Sequence, residues 1–171
     1  TNPSAAFYGV GGARIASQDG APLRLEPSGV LTVLSGVGEQ GQGAEAVFAQ
    51  IAADAVGVAL DRVRVITGDT DVTPYGGGTW ASRGTGIGGE AVLLARRVLR
   101  DHIPAAAGAL LKRDPPRPRL RRRGVIHEAT GPGPLRPAAP GRLAYLRTGT
   151  PPARCPPGLM VSRHSAPRDS P

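Results

Sequence analysis

Two glycine-rich stretches contain the residues whose types and spacing are best suited to chemistry. Loop 1, residues 36–43, reads Gly-Val-Gly-Glu-Gln-Gly-Gln-Gly, and loop 2, residues 76–85, reads Gly-Gly-Gly-Thr-Trp-Ala-Ser-Arg-Gly-Thr. Each is followed by an amphipathic run. A glycine-rich turn from a strand into a helix lets a ligand approach the backbone, and it directs free N–H groups and the positive helix end at an anion. We therefore predict that the two loops converge on one anionic group.

The elements that flank the loops are predicted as follows. Residues 22–35 alternate apolar and polar side chains around a turn at 27–29, which predicts a hairpin whose return strand, 30–35, is covered on both faces. Residues 44–56 have an apolar stripe at helical spacing and are followed by Gly57, which is suited to a left-handed helix cap. The alternation at 61–66 predicts another strand.

Strand, helix and strand at this spacing make a βαβ unit with parallel strands, so the predicted fold class is α/β, with α+β as the alternative. Parallel strands end at the same edge, where open α/β sheets bind ligands. A second helix is predicted to start within 83–87 and to run to about 111, with Pro104 kinking or restarting it. Its inward residues are predicted to be Ile87, Ala91, Leu94, Val98 and Leu99, and its outward residues Arg96, Arg97 and Arg100.

Charge and proline content change near residue 112. Residues 1–111 contain 8 Lys and Arg against 10 Asp and Glu, whereas residues 112–171 contain 13 against 3 and hold 13 of the 18 prolines. Residues 113–123 have no apolar face at either the helical or the strand period, which predicts a poorly ordered basic tail. We therefore divide the chain into a domain, 1–112, and an Arg- and Pro-rich segment, 113–171. The arginines leave open a noncatalytic module whose tail binds nucleic acid, although no aromatic residues are interleaved with them.

Other candidate sites are weaker. Cys155 is the only cysteine, which excludes an internal disulfide or a thiolate metal cluster. Asp69 and Asp71 are expected as turn residues rather than as a cation site. The glycines at 9 and 11 favour a strand with a bulge over a dinucleotide-binding turn, because no helix follows them. The histidines lack metal-ligand spacing and are expected in solvent: His102, His127 and His164.

No apolar run approaches the roughly 18 residues of a membrane span, and the first residues do not have the pattern of a secretory signal. These features and the single cysteine lead us to expect a cytoplasmic protein. The chain begins without Met, and we expect it to be a piece of a longer protein.

Four blocks in register carry a family resemblance: 39–43 followed by the helix at 49–54, then 68–71, 78–83 and 88–92. Together they resemble the molybdopterin-binding subunit of the xanthine dehydrogenase family, which includes aldehyde oxidases and aerobic carbon monoxide dehydrogenases. The similarity extends over roughly residues 22–111. Four ordered blocks are far more specific than one glycine motif.

The resemblance implies that both loops contact a molybdenum–molybdopterin cofactor, in its cytosine dinucleotide form. The Gln42 amide offers a donor and an acceptor to the pterin or to an oxo ligand of the metal. In loop 2, backbone N–H groups and hydroxyls would face pterin and phosphate oxygens. The implied cofactor-binding residues are Gly41, Gln42, Gly43, Ala81, Ser82, Arg83, Gly84 and Thr85.

For the complete enzyme, the resemblance implies oxidation of an aldehyde, an N-heterocycle or carbon monoxide with water as the oxygen source. Iron–sulfur (2Fe–2S) centres and FAD would lie on other domains or subunits, and nucleic acid is not an expected partner. The catalytic glutamate of the family lies downstream of the matching blocks, so the chain alone is expected to be inactive. Residues 141–147 and 157–164 resemble the next family segment, which suggests a local reading-frame shift between them and residue 111.

Overall fold

A four-stranded mixed sheet covered by two helices forms the centre of the computed structural model, which describes residues 18–110, 119–121, 124–126, 138–146 and 158–166. The sheet order is β3-β2-β1-β6, and β4 and β5 form a separate antiparallel pair. In chain order the elements are β1 (Asp19–Leu25), β2 (Leu31–Ser35), α1 (Ala44–Val56), β3 (Val63–Thr67), α2 (Gly89–Leu110), β4 (Arg119–Arg121), β5 (Gly124–Ile126), α3 (Ala138–Leu146) and β6 (Met160–Ser165).

The predicted hairpin and βαβ unit are both confirmed. β1 and β2 pair antiparallel with Leu23 opposite Val33, and β2 pairs parallel with β3 with Val33 opposite Val65. Helix α1 has the predicted limits and ends at Gly57, whose φ of 69° is left-handed. The fold class is α/β, as predicted.

The second strand of the βαβ unit begins later than its sequence pattern indicates. Residues Leu60–Arg62 form a 3₁₀ turn, and β3 starts at Val63. The Arg62 N–H donates to the Ala59 carbonyl at 2.9 Å, which closes the turn. Alternation of polar and apolar residues at 61–66 does not distinguish this turn from the strand that follows it.

Both helices cover the same face of the sheet. Helix α1 packs on β2 and β3, α2 packs on β1 and β6, and the two helices pack against each other. The period-two pattern of β1 and β2 turns one set of side chains into this layer. The fully buried core residues of β1, β2, α1 and α2 include Leu23, Leu25, Leu31, Val33, Phe48, Ala52, Val56, Ala91, Val92, Ala95 and Leu99.

The second helix starts with a π turn at Gly84–Gly88 and then continues as α2 without a break at Pro104. A Cβ on Gly88 would lie 2.8 Å from Val37 and 3.1 Å from Phe48, so the turn packs tightly against loop 1 and α1. Of the predicted inward residues, Ile87, Ala91 and Leu99 are buried, and Leu94 and Val98 are half-buried.

The predicted outward position is wrong for Arg96. Its side chain is half-buried, and Nη1 donates to the Ile51 carbonyl of α1 at 2.9 Å. The long side chain crosses from one helix to the other, which an analysis of one helix face does not anticipate. Arg97 and Arg100 are exposed, as predicted.

The prediction of a poorly ordered tail is wrong for strand β6. β6 pairs antiparallel with β1, with Val161 opposite Leu23, and Leu159 and Val161 are buried beneath α2. The Gly158 N–H donates to the Ala144 carbonyl at 3.1 Å, so α3 is joined to the start of this strand. The strand is short and mostly polar, and its pairing partner is far away in the chain. Composition therefore did not reveal it, although the strand lies largely within residues 157–164, for which the sequence indicated a resemblance to the next family segment.

Some expectations fall outside the described residues. These are the glycine-bulge strand near residues 9–11 and the fate of His127. Within the part of the chain that the structure describes, no helix is both long enough and apolar enough to cross a membrane.

Candidate functional site

Loops 1 and 2 lie side by side beyond the carboxyl ends of β2 and β3. The Thr79 hydroxyl of loop 2 donates to the Gly38 carbonyl of loop 1 at 2.5 Å. In the other direction, Gln40 Nε2 donates to the Thr79 carbonyl at 3.4 Å. The prediction that both loops share one edge of the sheet is therefore confirmed.

Loop 1 is closed by the carboxylate of Glu39. Glu39 Oε1 accepts hydrogen bonds from the backbone N–H groups of Gln40 at 3.2 Å and of Gly41 and Gly43 at 2.9 Å. Glu39 Oε2 accepts from the N–H of Glu45, in the first turn of α1, at 3.1 Å. The carboxylate therefore caps donors that the start of a helix leaves without an intrahelical partner.

This arrangement lowers the pKa of the exposed Glu39 carboxyl, first through the Glu45 amide and then through the amides of Gly43, Gly41 and Gln40. The ionised form is the one that accepts these bonds. Loop 1 does attract an anion, as its glycine pattern predicts, but that anion is a side chain of the loop itself.

Gln42 is exposed and held in position by loop 1. Its Oε1 accepts from the Gln40 N–H at 2.6 Å, and its Nε2 donates to the Gly38 carbonyl at 3.2 Å. A primary amide has two N–H donors and two acceptor lone pairs. Apart from these two bonds, one N–H and one lone pair remain to contact a ligand.

Loop 2 contains two consecutive non-glycine residues in the left-handed region. Ala81 has φ 47° and Ser82 has φ 57°. This conformation brings Cβ close to the following carbonyl and is rare for residues other than Gly, Asn and Asp. The Arg83 N–H donates to the Trp80 carbonyl at 3.1 Å across the two residues. Ser82 is exposed.

Arg83, one of the predicted cofactor-binding residues, lies inside the protein. Its side chain is fully buried, and Nη1 is 2.5 Å from Asp19 Oδ2 of β1, whose side chain is also fully buried. Arg83 Nη1 also donates to the Gly78 carbonyl at 2.7 Å, and Nη2 donates to the Gln18 carbonyl at 3.2 Å. The guanidinium thus joins loop 2 to the start of the first strand.

Burial raises the pKa of the Asp19 carboxyl, since the loss of hydration outweighs the attraction of Arg83 and the nearby loop amides. Asp19 was not among the predicted site residues. One signal was available in the sequence: the period-two pattern of β1 places Asp19 on the same face as Ala21, Leu23 and Leu25. A carboxylate on such a face requires a partner.

Open space lies next to both loops. A Cβ built on Gly41 or Gly43 in loop 1, or on Gly78 or Gly86 in and after loop 2, would meet no atom within 4 Å. Exposed polar side chains border this space: Gln40, Gln42, Ser82 and Thr85. Gly84 lies in the adjoining π turn. The space is thus bordered by exposed amide and hydroxyl groups, which can donate and accept hydrogen bonds.

The other polar residues considered as candidate sites lie outside the two loops. Asp69 forms the predicted turn, because its Oδ1 accepts from the Asp71 N–H at 3.0 Å and its carbonyl accepts from the Thr73 hydroxyl at 2.6 Å. His164 is exposed, as predicted, but His102 is half-buried, and its Nδ1 has no hydrogen-bond partner among the residues that the structure describes. Among the described residues, no group of three or more His, Cys, Asp or Glu side chains could hold a metal ion.

Comparison with known proteins assigns the family. The profile of the molybdopterin cofactor-binding domain matches residues 3–144. The chain belongs to this family. The resemblance to the molybdenum-binding subunits of the xanthine dehydrogenase family is thereby confirmed, and molybdenum–molybdopterin is the cofactor of this domain type.

Relatives in sequence are subunits of molybdenum enzymes. The chain is 44% identical over 93 residues to the putative xanthine dehydrogenase molybdenum-binding subunit XdhA of Escherichia coli, a match that covers 54% of this chain and 12% of that protein. It is 36% identical over 94 residues to the carbon monoxide dehydrogenase large chain of Afipia carboxidovorans, covering 55% and 12%. The chain thus spans about one-eighth of the length of these relatives. These relatives favour the molybdenum enzyme family over a nucleic-acid-binding module.

Solved structures agree with this assignment. Quinoline 2-oxidoreductase from Pseudomonas putida superposes with a TM-score of 0.75 at 31% identity, covering 89% of this chain and 19% of that one. Carbon monoxide dehydrogenase from Oligotropha carboxidovorans superposes with a TM-score of 0.75 at 27% identity, covering 88% and 18%. The coverage of this chain exceeds that of the sequence matches.

Proposed function

We propose that this chain forms part of the cofactor cage in the large subunit of a molybdenum hydroxylase. The observation that carries the proposal is the pairing of the two loops through Thr79 and Gly38 beside open space. In the proposed complex, loop 1 faces the cofactor with Gln42, flanked by Gly41 and Gly43. Loop 2 faces it with the backbone and hydroxyl groups of Ala81, Ser82, Gly84 and Thr85.

The work of these residues is binding and orientation. Gln42 would use its remaining N–H and lone pair, because its other two bonds hold the amide in a fixed direction. Ser82 and Thr85 would offer hydroxyl groups that can donate or accept. When bound, the cofactor supplies the oxidation–reduction chemistry, and the protein supplies geometry and electrostatics.

For the parent enzyme, we propose oxidation of a small aldehyde, N-heterocycle or carbon monoxide, with water as the oxygen source. Relatives named xanthine dehydrogenase, carbon monoxide dehydrogenase and nicotine 6-hydroxylase support this range of substrates. We further propose the cytosine dinucleotide form of the cofactor, 2Fe–2S and FAD on other domains or subunits, and a cytoplasmic location. The catalytic glutamate would lie in another part of the parent subunit.

Retention of molybdenum tests the proposal. The purified 171-residue chain would be incubated without oxygen with molybdenum cofactor released from a denatured molybdoenzyme, then desalted and assayed for metal by mass spectrometry. We expect the wild-type chain to retain molybdenum and Gln42→Ala to weaken retention about tenfold, the equivalent of one hydrogen bond to a polar ligand.

Gln50→Ala is the matched control, because Gln50 is an exposed amide on α1 outside both loops. It should retain as much molybdenum as the wild type. Equal retention by Gln42→Ala and wild type would remove Gln42 from the site, and failure of the folded wild type to retain the metal would overturn the proposal for this chain.

A further inference from the structure

Loop 2 is joined by an ion pair to the first strand of the sheet, 64 positions earlier in the chain. Asp19 begins β1, whereas Arg83 ends the strained turn of loop 2, and their fully buried side chains form an ion pair. The same guanidinium donates to the carbonyls of Gln18 and Gly78, and the Gly77 N–H donates to the Gln18 carbonyl at 3.2 Å. Three contacts thus connect the loop to the start of the strand, and the bond to Gly78 lies within the loop.

The loop backbone is fitted closely around the Asp19 carboxyl. A Cβ on Gly76 would lie 2.0 Å from Asp19 Oδ1, which no real side chain permits. A Cβ on Gly36 at the end of β2 would lie 3.6 Å from the same oxygen and 2.8 Å from the Pro74 carbonyl. The carboxyl therefore occupies a space that the two loops leave for it.

The ion pair is adjacent to the strained residues. Ala81 and Ser82, both left-handed, lie between Trp80 and Arg83. Such a conformation persists only where the surrounding structure holds it. Arg83 is the residue immediately after the strained pair, and its side chain is fully buried.

Stability alone does not account for such a pair. Two charges removed from water lose hydration that their attraction often does not recover, and apolar residues of similar volume are frequently as stable. What a buried ion pair with directional hydrogen bonds supplies is one defined arrangement of the backbone that it joins.

We propose that Asp19 and Arg83 are positioning residues, which hold loop 2 in its strained conformation before any cofactor arrives. Arg83 acts through the loop backbone and not by touching the cofactor. The consequence for cofactor binding rests on the function proposed above, whereas the fixing of the loop does not.

Trp80 provides a direct readout of the loop. It is the only tryptophan in the chain, it is half-buried, and its Nε1 donates to the Gly77 carbonyl at 3.0 Å. Quenching of its fluorescence by acrylamide reports how well loop 2 is held, independently of molybdenum. Circular dichroism during heating reports whether the fold as a whole persists.

The decisive variant replaces both charges, Asp19→Leu with Arg83→Met, so that neither charge is left buried alone. We expect it to unfold near the wild-type temperature, with Trp80 quenched at least about twofold faster. Arg83→Lys should give an intermediate rate, since an ammonium can pair with Asp19 but lacks the planar fork that also reaches two carbonyls. Arg96→Met, which removes a half-buried arginine between the helices, is the control and should leave Trp80 quenching unchanged.

Unchanged quenching in the folded double variant would overturn the proposal. Faster quenching with molybdenum retention lost supports the positioning role and its consequence for the cofactor. Faster quenching with retention equal to that of the wild type supports the fixing of loop 2 and contradicts its role in the cofactor site. If wild-type chain retains no metal, the quenching result still decides the positioning role, while the cofactor function fails separately.

Discussion

Loops 1 and 2 resemble each other in sequence, but they are held by opposite means. Loop 1 is closed by Glu39, an exposed carboxylate within the loop that accepts four backbone N–H groups from residues up to six positions away. Loop 2 is held by Arg83, whose buried partner Asp19 lies 64 positions earlier on another element. One loop is closed locally, and the other depends on the assembled sheet.

The difference has consequences for how each loop should fail. Loop 1 keeps its closing contacts wherever residues 39–45 adopt their local conformation, and water can replace any contact that is lost. Loop 2 has no such alternative, because breaking its ion pair leaves a charge in a dry interior. Substitutions in the two loops should therefore change the free energy of unfolding by different amounts, and these changes should depend differently on pH.

The largest effect is expected from breaking the buried pair on one side. Arg83→Met leaves the Asp19 carboxyl buried without its cation and should lower the free energy of unfolding by about 3–5 kcal/mol. Urea unfolding followed by circular dichroism measures this loss. A loss no greater than that of Arg97→Met, which removes an exposed arginine, would show that loop 2 does not depend on the pair.

The close fit of loop 2 around Asp19 predicts the next effect. Gly76→Ala places a methyl group against Asp19 Oδ1 and should lower the free energy of unfolding by about 1–3 kcal/mol through overpacking. Gly86→Ala, where a Cβ meets open space at an ordinary φ, is the matched control and should change stability little. Equal thermal unfolding temperatures for the two variants would contradict the close fit.

A smaller effect, with a characteristic pH dependence, is expected from Glu39→Gln. The folded pKa of Glu39 is lowered, so its contribution is present above the unfolded pKa and is lost as pH falls through the folded pKa. The stability gap between wild type and Glu39→Gln should therefore narrow as the solution is acidified. Denaturant unfolding of both proteins, from neutral pH down through the pH range in which carboxyl groups titrate, measures this gap.

Asp19 should show the opposite trend. Its folded pKa is raised, so its contribution is present below the unfolded pKa and is lost as pH rises through the folded pKa. The gap between wild type and Asp19→Asn should widen on acidification, in the same experiment. If the stability gaps of Glu39→Gln and Asp19→Asn changed in the same direction with pH, the exposed carboxylate of loop 1 and the buried ion pair of loop 2 would not differ as proposed.

The smallest effect is expected from relieving the strain in loop 2. Ser82→Gly removes the Cβ that disfavours a φ of 57°, and should raise stability by about 0.5–1 kcal/mol. Ser28→Gly, at an exposed serine in the turn between β1 and β2, is a control without a strained φ. A destabilised Ser82→Gly in thermal unfolding would mean that the hydroxyl or side chain contributes more than the strain costs.

Much of the fold could be predicted because its signals are local. The limits of α1, the left-handed cap at Gly57 and the parallel pairing around the helix all follow from periodicity and glycine placement within a few dozen residues. The juxtaposition of the two loops follows in turn, since parallel strands must end at one edge. The pairing of strand β6 with β1 and the Arg96 contact to α1 were not predicted, because each depends on a partner outside its own segment.

By itself, the sequence determined the family, the two glycine loops and the residues expected to face a cofactor, since spacing within a loop controls which backbone donors are available. Only the tertiary structure decided what each loop residue faces. It turned Arg83 inward onto Asp19, assigned the helix-end donors of loop 1 to Glu39, and left Gln42 and Ser82 exposed. The physical reason is burial: whether a charge meets water, a ligand or an opposite charge depends on elements that pack together from distant parts of the chain.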